Sequence, residues 1–318
     1  MVGMLRRFPH LIAAQPVLSR EGRARGRDGF AAPVATLLIA ILILWSLAAI
    51  WMNAPFARMQ ADNAGQILSF ADLVGKTWSQ ERPVLPAPHQ VLGELYATVF
   101  DVAPNSRRSL VYHSWITLSA TLTGFAMGAL FGAALAVAIV HLTVLRKSLM
   151  PWIIASQTVP ILAIAPIIIV VLGSVGVTGL LPKSLISAYL CFFPVTIGMV
   201  KGLNCPDTMQ LDLMRTYNAS RLQTFAKLRA PASLPFLFAS LKVAIAIALV
   251  GAIVGELPTG AQAGLGARLL AGSYYGQTLQ IWAALFAAGS VAGAMVTMIG
   301  VLERLVDRAL GVKPEPAS

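Results

Sequence analysis

Inside the long apolar runs of this sequence the ionisable side chains reduce to Glu256 and Lys242, with His113 and His141 near the two ends of one run. The chemistry open to such residues is proton or cation relay, which passes charge between buried carboxylates and histidines. One glutamate at the end of a run and one lysine able to snorkel to the interface do not make a relay. Neither histidine has a candidate partner within a helical turn in sequence, so both read as interfacial histidines. Cys191 and Cys205 form no C-x-x-C pair and read as packing residues. The segment 173–184, GSVGVTGLLPKS, fails as a phosphate loop because its lysine follows Pro182 rather than a glycine. There is no H-E-x-x-H and no G-x-S-x-G. The reading therefore gives no catalytic residue, no metal site and no cofactor bound by this chain. Any transport it performs would draw its energy from elsewhere.

The elements that carry these residues follow from composition. Of 318 residues, 57% are hydrophobic and 12% charged, against about 25% charged in a soluble domain. Such an excess needs a lipid bilayer as solvent. The net charge of +11 is spread between apolar runs rather than interleaved with aromatics on one face, which fits membrane topology and excludes nucleic acid as a partner. Stretches of the length a bilayer requires give spans near 32–52, 113–140, 149–172, 185–201, 235–255 and 280–301. The sequence predicts an all-α, polytopic membrane protein of about six transmembrane helices.

Lysine and arginine set the orientation. Arg6, Arg7, Arg20, Arg23, Arg25 and Arg27 precede the first span; Arg146 and Lys147 separate the second and third; Arg215, Arg221, Lys227 and Arg229 separate the fourth and fifth; Arg304, Arg308 and Lys313 follow the sixth. The two short loops on the other side hold Lys183 and Arg268. Both termini are thus expected in the cytoplasm. Residues 1–31 read as a basic, poorly ordered cytoplasmic tail able to meet anionic lipid. Residues 32–52 read as an uncleaved signal-anchor helix. An external loop spans 53–112, with helical apolar spacing over Val91–Phe100 that suits a helix on the membrane surface. The core runs 113–308, with a cytoplasmic loop at 203–234, and a C-terminal tail occupies 309–318.

Two patterns concern the pathway and packing. Gly124, Gly128 and Gly132 recur every four residues, and Gly289 and Gly293 repeat the device. Such stripes serve either packing within the chain or a dimer seam. Pro151, Pro160 and Pro166 interrupt the third span around Ser156, Gln157 and Thr158. A polar cluster at a proline kink either lines a pathway or marks a packing kink. Ser156, Gln157, Thr158 and Glu256 are the candidate pathway residues.

The cytoplasmic loop reads as two short helices. Asp207 and Thr208 offer an N-cap, and Met209, Leu213 and Met214 give the first helix an apolar side. Asn218 suits the left-handed turn that ends it. Leu222, Phe225 and Leu228 recur on the second helix, and Pro231 ends that pattern. A basic amphipathic hairpin beside the membrane reads as a docking element, the alternative being a solvated positive-inside loop.

This loop resembles the EAA motif of ABC importer permeases: E-A-A, three residues, Gly, nine residues, Ile, one residue, Leu-Pro. Asp212, Leu213 and Met214 stand at E-A-A, Asn218 at the glycine, Leu228 at the isoleucine, and Ala230–Pro231 at Leu-Pro. The segment 84–88, VLPAP, is similar to the family's Leu-Pro-Ser-Pro segment, and 158–166 to its Ile-Pro…Ala-Leu-Pro stretch. Phe192–Phe193–Pro194, Glu256 and Gly264–Leu265–Gly266 also have counterparts. The match covers roughly 83–308 and points to the nitrate/sulfonate/taurine branch of binding-protein-dependent permeases, with a type I importer (MetI-like) fold. The resemblance implies two permease copies, most simply a homodimer, two ATPase subunits that use ATP, and an external solute-binding protein. It implies ATPase coupling through Asp212, Leu213, Met214, Asn218, Ala219, Arg221, Leu228 and Pro231. The expected solutes are a sulfonate, taurine, nitrate or a thiamine-related pyrimidine, carried across a bacterial inner membrane. Leu213 and Met214 are bulkier than two alanines, so the docking surface should suit its own ATPase. The alternatives are a secondary transporter without an ATPase, which would need an essential intramembrane carboxylate, and a membrane-embedded enzyme, which would need His113 or Glu256.

Overall fold

The computed structural model describes residues 28–258 and 263–311. All regular structure among them is helical: α1 (Asp28–Asn63), α2 (Phe70–Trp78), α3 (Pro88–Tyr96), α4 (Leu110–His141), α5 (Thr143–Ser156), α6 (Ile161–Ser174), α7 (Leu180–Leu203), α8 (Thr208–Thr216), α9 (Arg221–Thr224), α10 (Ala230–Glu256), α11 (Leu265–Tyr274) and α12 (Thr278–Ala309). Among the described residues five helices are long and apolar enough to cross a membrane, and the pair α5–α6 makes a sixth if taken together. The basic tail expected at 1–31 lies outside the described residues up to position 27, as does the end of the C-terminal tail from position 312.

The core is α4, α7 and α10. Gly124, Gly128 and Gly132 face α7 so closely that a Cβ would stand 2.3 Å from Ser187 Cβ, 2.5 Å from Cys191 Sγ and 2.6 Å from the Phe192 carbonyl respectively. The stripe therefore serves packing within the chain. With lipid as apolar as leucine, close backbone approach and dispersion hold such helices together. Gly198 and Gly202 repeat the device between α7 and Ser240 and Ser233 of α10. Gly289 and Gly293 of α12 have no atom of the described residues within 4 Å of where a Cβ would stand.

Several expectations are corrected. The first span does not stop at residue 52, because α1 continues to Asn63 through Pro55. One missing N–H in a helix held elsewhere is tolerated. The external loop 53–112 is largely helical, and the helix expected at Val91–Phe100 runs Pro88–Tyr96 before a wide turn over Ala97–Asp101. It buries Val91 and packs against α12 rather than standing alone on a membrane surface. The third span is not one rod: α5 and α6 meet at 99°. Pro151 and Pro166 ride inside helices, whereas the break falls at Pro160, where the residue before proline is biased away from helix. Pro231 does not end the loop's second helix. Arg221–Glu256 is one continuous element, because a wide turn over Phe225–Arg229 closes an Ala230 N–H to Phe225 carbonyl bond and carries the chain past the proline. Lys242 does not snorkel free; its ammonium pairs with Glu303 of α12.

Candidate functional site

Two polar regions lie at the two ends of α10, about 40 Å apart at 1.5 Å per residue. The first is the loop that contains α8 and α9. Asp207 is the N-cap of α8: its carboxylate accepts the Thr208 N–H at 2.7 Å, and Gln210 Oε1 accepts the Asp207 N–H at 3.2 Å. Ser220 and Gln223 form the same reciprocal box at the start of α9. Between them Asn218 takes φ 48°, the one non-glycine residue with positive φ among those described. Its N–H bonds the Arg215 carbonyl at 2.8 Å, and the Ala219 N–H reaches back to Met214 at 2.9 Å. This is a complete Schellman stop with asparagine where glycine is usual.

The short helices are locally over-determined, yet α8 buries none of its side chains. Met209, Leu213 and Tyr217 fall four residues apart on one face and are exposed, and Leu222 continues the surface at 75%. Asp212 is spent on an exposed pair with Arg215 at 2.9 Å, a contact of small worth. Arg221 is exposed, while Leu228 is half-buried and Pro231 exposed. The loop touches the bundle at its rear: Arg229 Nη1 donates to the Leu203 carbonyl at 3.2 Å, capping α7, and the Phe225 ring stands edge-on to His141 at 5.3 Å.

The second region is closed. Glu256 is fully buried at the end of α10. The Gly266 N–H donates to its Oε2 at 2.9 Å, the Thr117 hydroxyl lies 3.0 Å from both its oxygens, and Lys183 Nζ is 3.8 Å away. Thr117 also accepts the Leu265 N–H at 2.8 Å. His113 accepts the Gly264 N–H at Nδ1 (3.0 Å) and gives its Nε2–H to the Arg107 carbonyl (2.9 Å). These partners assign a neutral imidazole protonated at Nε2. Three successive backbone N–H groups of the Gly264–Gly266 segment are thus held by α4 and α10. The glycines are required there: Gly264 has φ 126°, and a Cβ on it would stand 2.2 Å from the Glu256 carboxyl carbon. Nearby, burial lowers the pKa of the Arg268 guanidinium, and the Glu94 carboxylate opposes that fall.

His113 is therefore a buried strut rather than an interfacial side chain. Glu256 is enclosed by its own chain and is not presented to a pathway. Ser156, Gln157 and Thr158 do sit together, at the α5–α6 break, with Gln157 and Thr158 exposed. Sequence reasoning missed Asn53. It is fully buried in α1, donates through Nδ2 to the Leu85 carbonyl at 2.8 Å, and accepts the Val84 N–H at Oδ1 at 2.8 Å. Trp45 Nε1 donates to the Pro86 carbonyl at 3.0 Å and the Thr278 hydroxyl to that of Pro83. The segment 83–88 is a peptide strap that ties α1 to α12. A lone asparagine at the end of an apolar run was the available signal. Thr117 and Glu303 left none, since a single threonine or glutamate reads equally as solvated.

Comparison with known proteins places the arrangement. Residues 101–312 match the family described as binding-protein-dependent transport system inner membrane component. A probable ABC transporter permease protein of Haemophilus influenzae is 31% identical over 64% of this chain and 77% of its own. The riboflavin transport system permease protein RibX of Chloroflexus aurantiacus is 31% identical over 71% of this chain and 80% of its own. The formylaminopyrimidine transport permease protein ThiX of Halalkalibacterium halodurans is 30% identical over 58% and 68%.

Proposed function

The chain belongs to the family of binding-protein-dependent transport system inner membrane components, multi-pass permease subunits of ATP-binding-cassette importers for small solutes, and on that premise we propose that its loop 212–231 is the seat of the ATPase. The observation that carries the proposal is the exposed apolar stripe Met209–Leu213–Tyr217 with Leu222, on helices whose caps are complete and whose outer face none of the described residues covers. A rigid apolar ridge of this kind fits a cleft in a soluble partner. Asp212, Leu213, Met214, Asn218, Ala219 and Arg221 would meet the ATPase, while Leu228 and Pro231 would pass its motion into α10 along the unbroken helix Arg221–Glu256. ATP would be bound and used by that partner and not by this chain.

Two copies of the chain would frame the pathway, with Gln157 and Thr158 at its bend. An external binding protein would deliver the solute, and both termini would lie in the cytoplasm. The solute would come from the sulfonate, taurine, nitrate and pyrimidine range, to which the names of RibX and ThiX add riboflavin and formylaminopyrimidine. Selectivity would sit in the binding protein, so the ligand that copurifies with that protein identifies the solute.

The test is purification of the tagged chain in mild detergent from its own host. A stoichiometric ATP-binding subunit should accompany it, and Leu213→Asp should lower that subunit's retention at least tenfold, roughly 1.4 kcal/mol, without changing membrane insertion. Equal retention in the variant would place the contact elsewhere. A chain that purifies alone and moves solute without ATP would restore the secondary-transporter reading.

A further inference from the structure

The 99° break between α5 and α6 leaves a backbone group that a helix would have used. In an uninterrupted helix the Ser156 carbonyl takes the N–H of residue 160, and Pro160 has none. An orphaned carbonyl in a membrane protein must find another donor. The nearby hydroxyls are already committed: Ser156 Oγ donates to the Ile153 carbonyl at 2.7 Å, and Thr158 Oγ1 to that of Ala155 at 2.8 Å. The donor comes from another helix. Tyr189 of α7 places its hydroxyl 2.6 Å from the Ser156 carbonyl.

The surroundings give this bond leverage. α6 is seated on α7 and α10, with Ala165 buried against Ile186 and Val254. Among the described residues α5 is seated on fewer helices: Ile153 is its one buried side chain, Val144, Trp152 and Ile154 are exposed, and it leans mainly on α4. α6 is thus held by two core helices and α5 mainly by one. The Tyr189 hydroxyl bonds the last residue of α5, the half held by fewer helices. Its ring is in turn braced by Phe192 at 6.1 Å, which meets Phe131 of α4 at 5.9 Å.

We propose that Tyr189 is a positioning residue of the pathway: by taking the carbonyl that Pro160 orphans, it fixes the angle between α5 and α6 and hence the place of Gln157 and Thr158. The role deepens the permease reading and rests on it. Tyr189 and Pro160 then form one device. Proline breaks the span, and the tyrosine makes the break a single conformation rather than a loose joint.

The device predicts a specific non-additivity. Spin labels at Val144→Cys and Val170→Cys, both exposed positions, with Cys205→Ser, report the bend in the complete complex with its ATPase in lipid vesicles. Tyr189→Phe should broaden the label-to-label distance distribution at least twofold and erase the shift between resting and vanadate-trapped states. ATPase association and hydrolysis should stay within twofold of the parent. Pro160→Ala restores the missing N–H, so adding Tyr189→Phe to it should change the distribution little. Equal broadening in both backgrounds, or an unaltered distribution in Tyr189→Phe alone, would overturn the proposal. Parent chain that fails to retain the ATPase would instead strike the permease reading, a separate readout.

Discussion

The two ends of α10 handle polar groups in opposite ways. At the Glu256 end, a carboxylate, a threonine and a histidine take three consecutive backbone N–H groups, and two glycines are pressed against them without room for a methyl group. At the Ala230 end, α8 and α9 satisfy their caps within the loop and leave their apolar face bare. The first region is finished by its own chain. The second is finished in shape but not in burial, and its bare apolar face is the one that the proposed ATPase contact would cover. Substitutions should therefore cost stability at the first end and association at the second.

The largest effect belongs to Gly264→Val. Its φ of 126° lies where essentially glycine alone is found, and the new side chain would overlap the Glu256 carboxylate; together these should cost about 3 kcal/mol or more. Thermal unfolding in detergent should show a clear fall, and unchanged melting would mean that the lock is not a stability element. Next comes Asn53→Leu, which strands the Val84 N–H and the Leu85 carbonyl at a cost of about 2 kcal/mol. Proteolysis of the vesicle-embedded protein should then cut faster in 80–88, and an unaltered rate would deny the strap.

The loop variants should act differently. Asn218→Val forces a β-branched residue into the left-handed turn at about 1–2 kcal/mol and should reduce ATP-driven uptake severalfold with global melting unchanged. Asn218→Gly should keep uptake. Equal uptake by the Val and Gly variants would remove the turn from the coupling account. Asp212→Ala should cost the chain's own stability least, because both it and its partner Arg215 are solvated. Melting should move by no more than about 0.5 kcal/mol equivalent, and a larger shift would reveal a buried role for that carboxylate.

What could be read beforehand follows from the range of each interaction. Hydropathy located the spans because lipid burial acts on about 20 residues at once. Asn218 and the cap at Asp207 were legible because capping is local, within three residues. The family was legible in the spacing from Asp212 to Pro231. His113, Thr117 and Glu256 were not, because their partners lie up to 151 residues away in sequence, and a single histidine carries no sign of which chain segment it will face. Pro160 announced a kink but not its size, since three prolines of equal local strength stand in that span and local sequence does not tell which of them breaks it. The glycine stripe announced close approach without naming the approaching helix.

The most direct test of the contrast is amide hydrogen exchange on the chain in lipid nanodiscs, with and without its ATPase. Amides of 264–266 should exchange slowly in both samples, each being bonded to a buried side chain, while those of 208–224 should exchange fast in the chain alone and slow at least tenfold once the ATPase is added. A loop that is already slow alone and unmoved by the ATPase, or an ATPase effect confined to 264–266, would contradict the account.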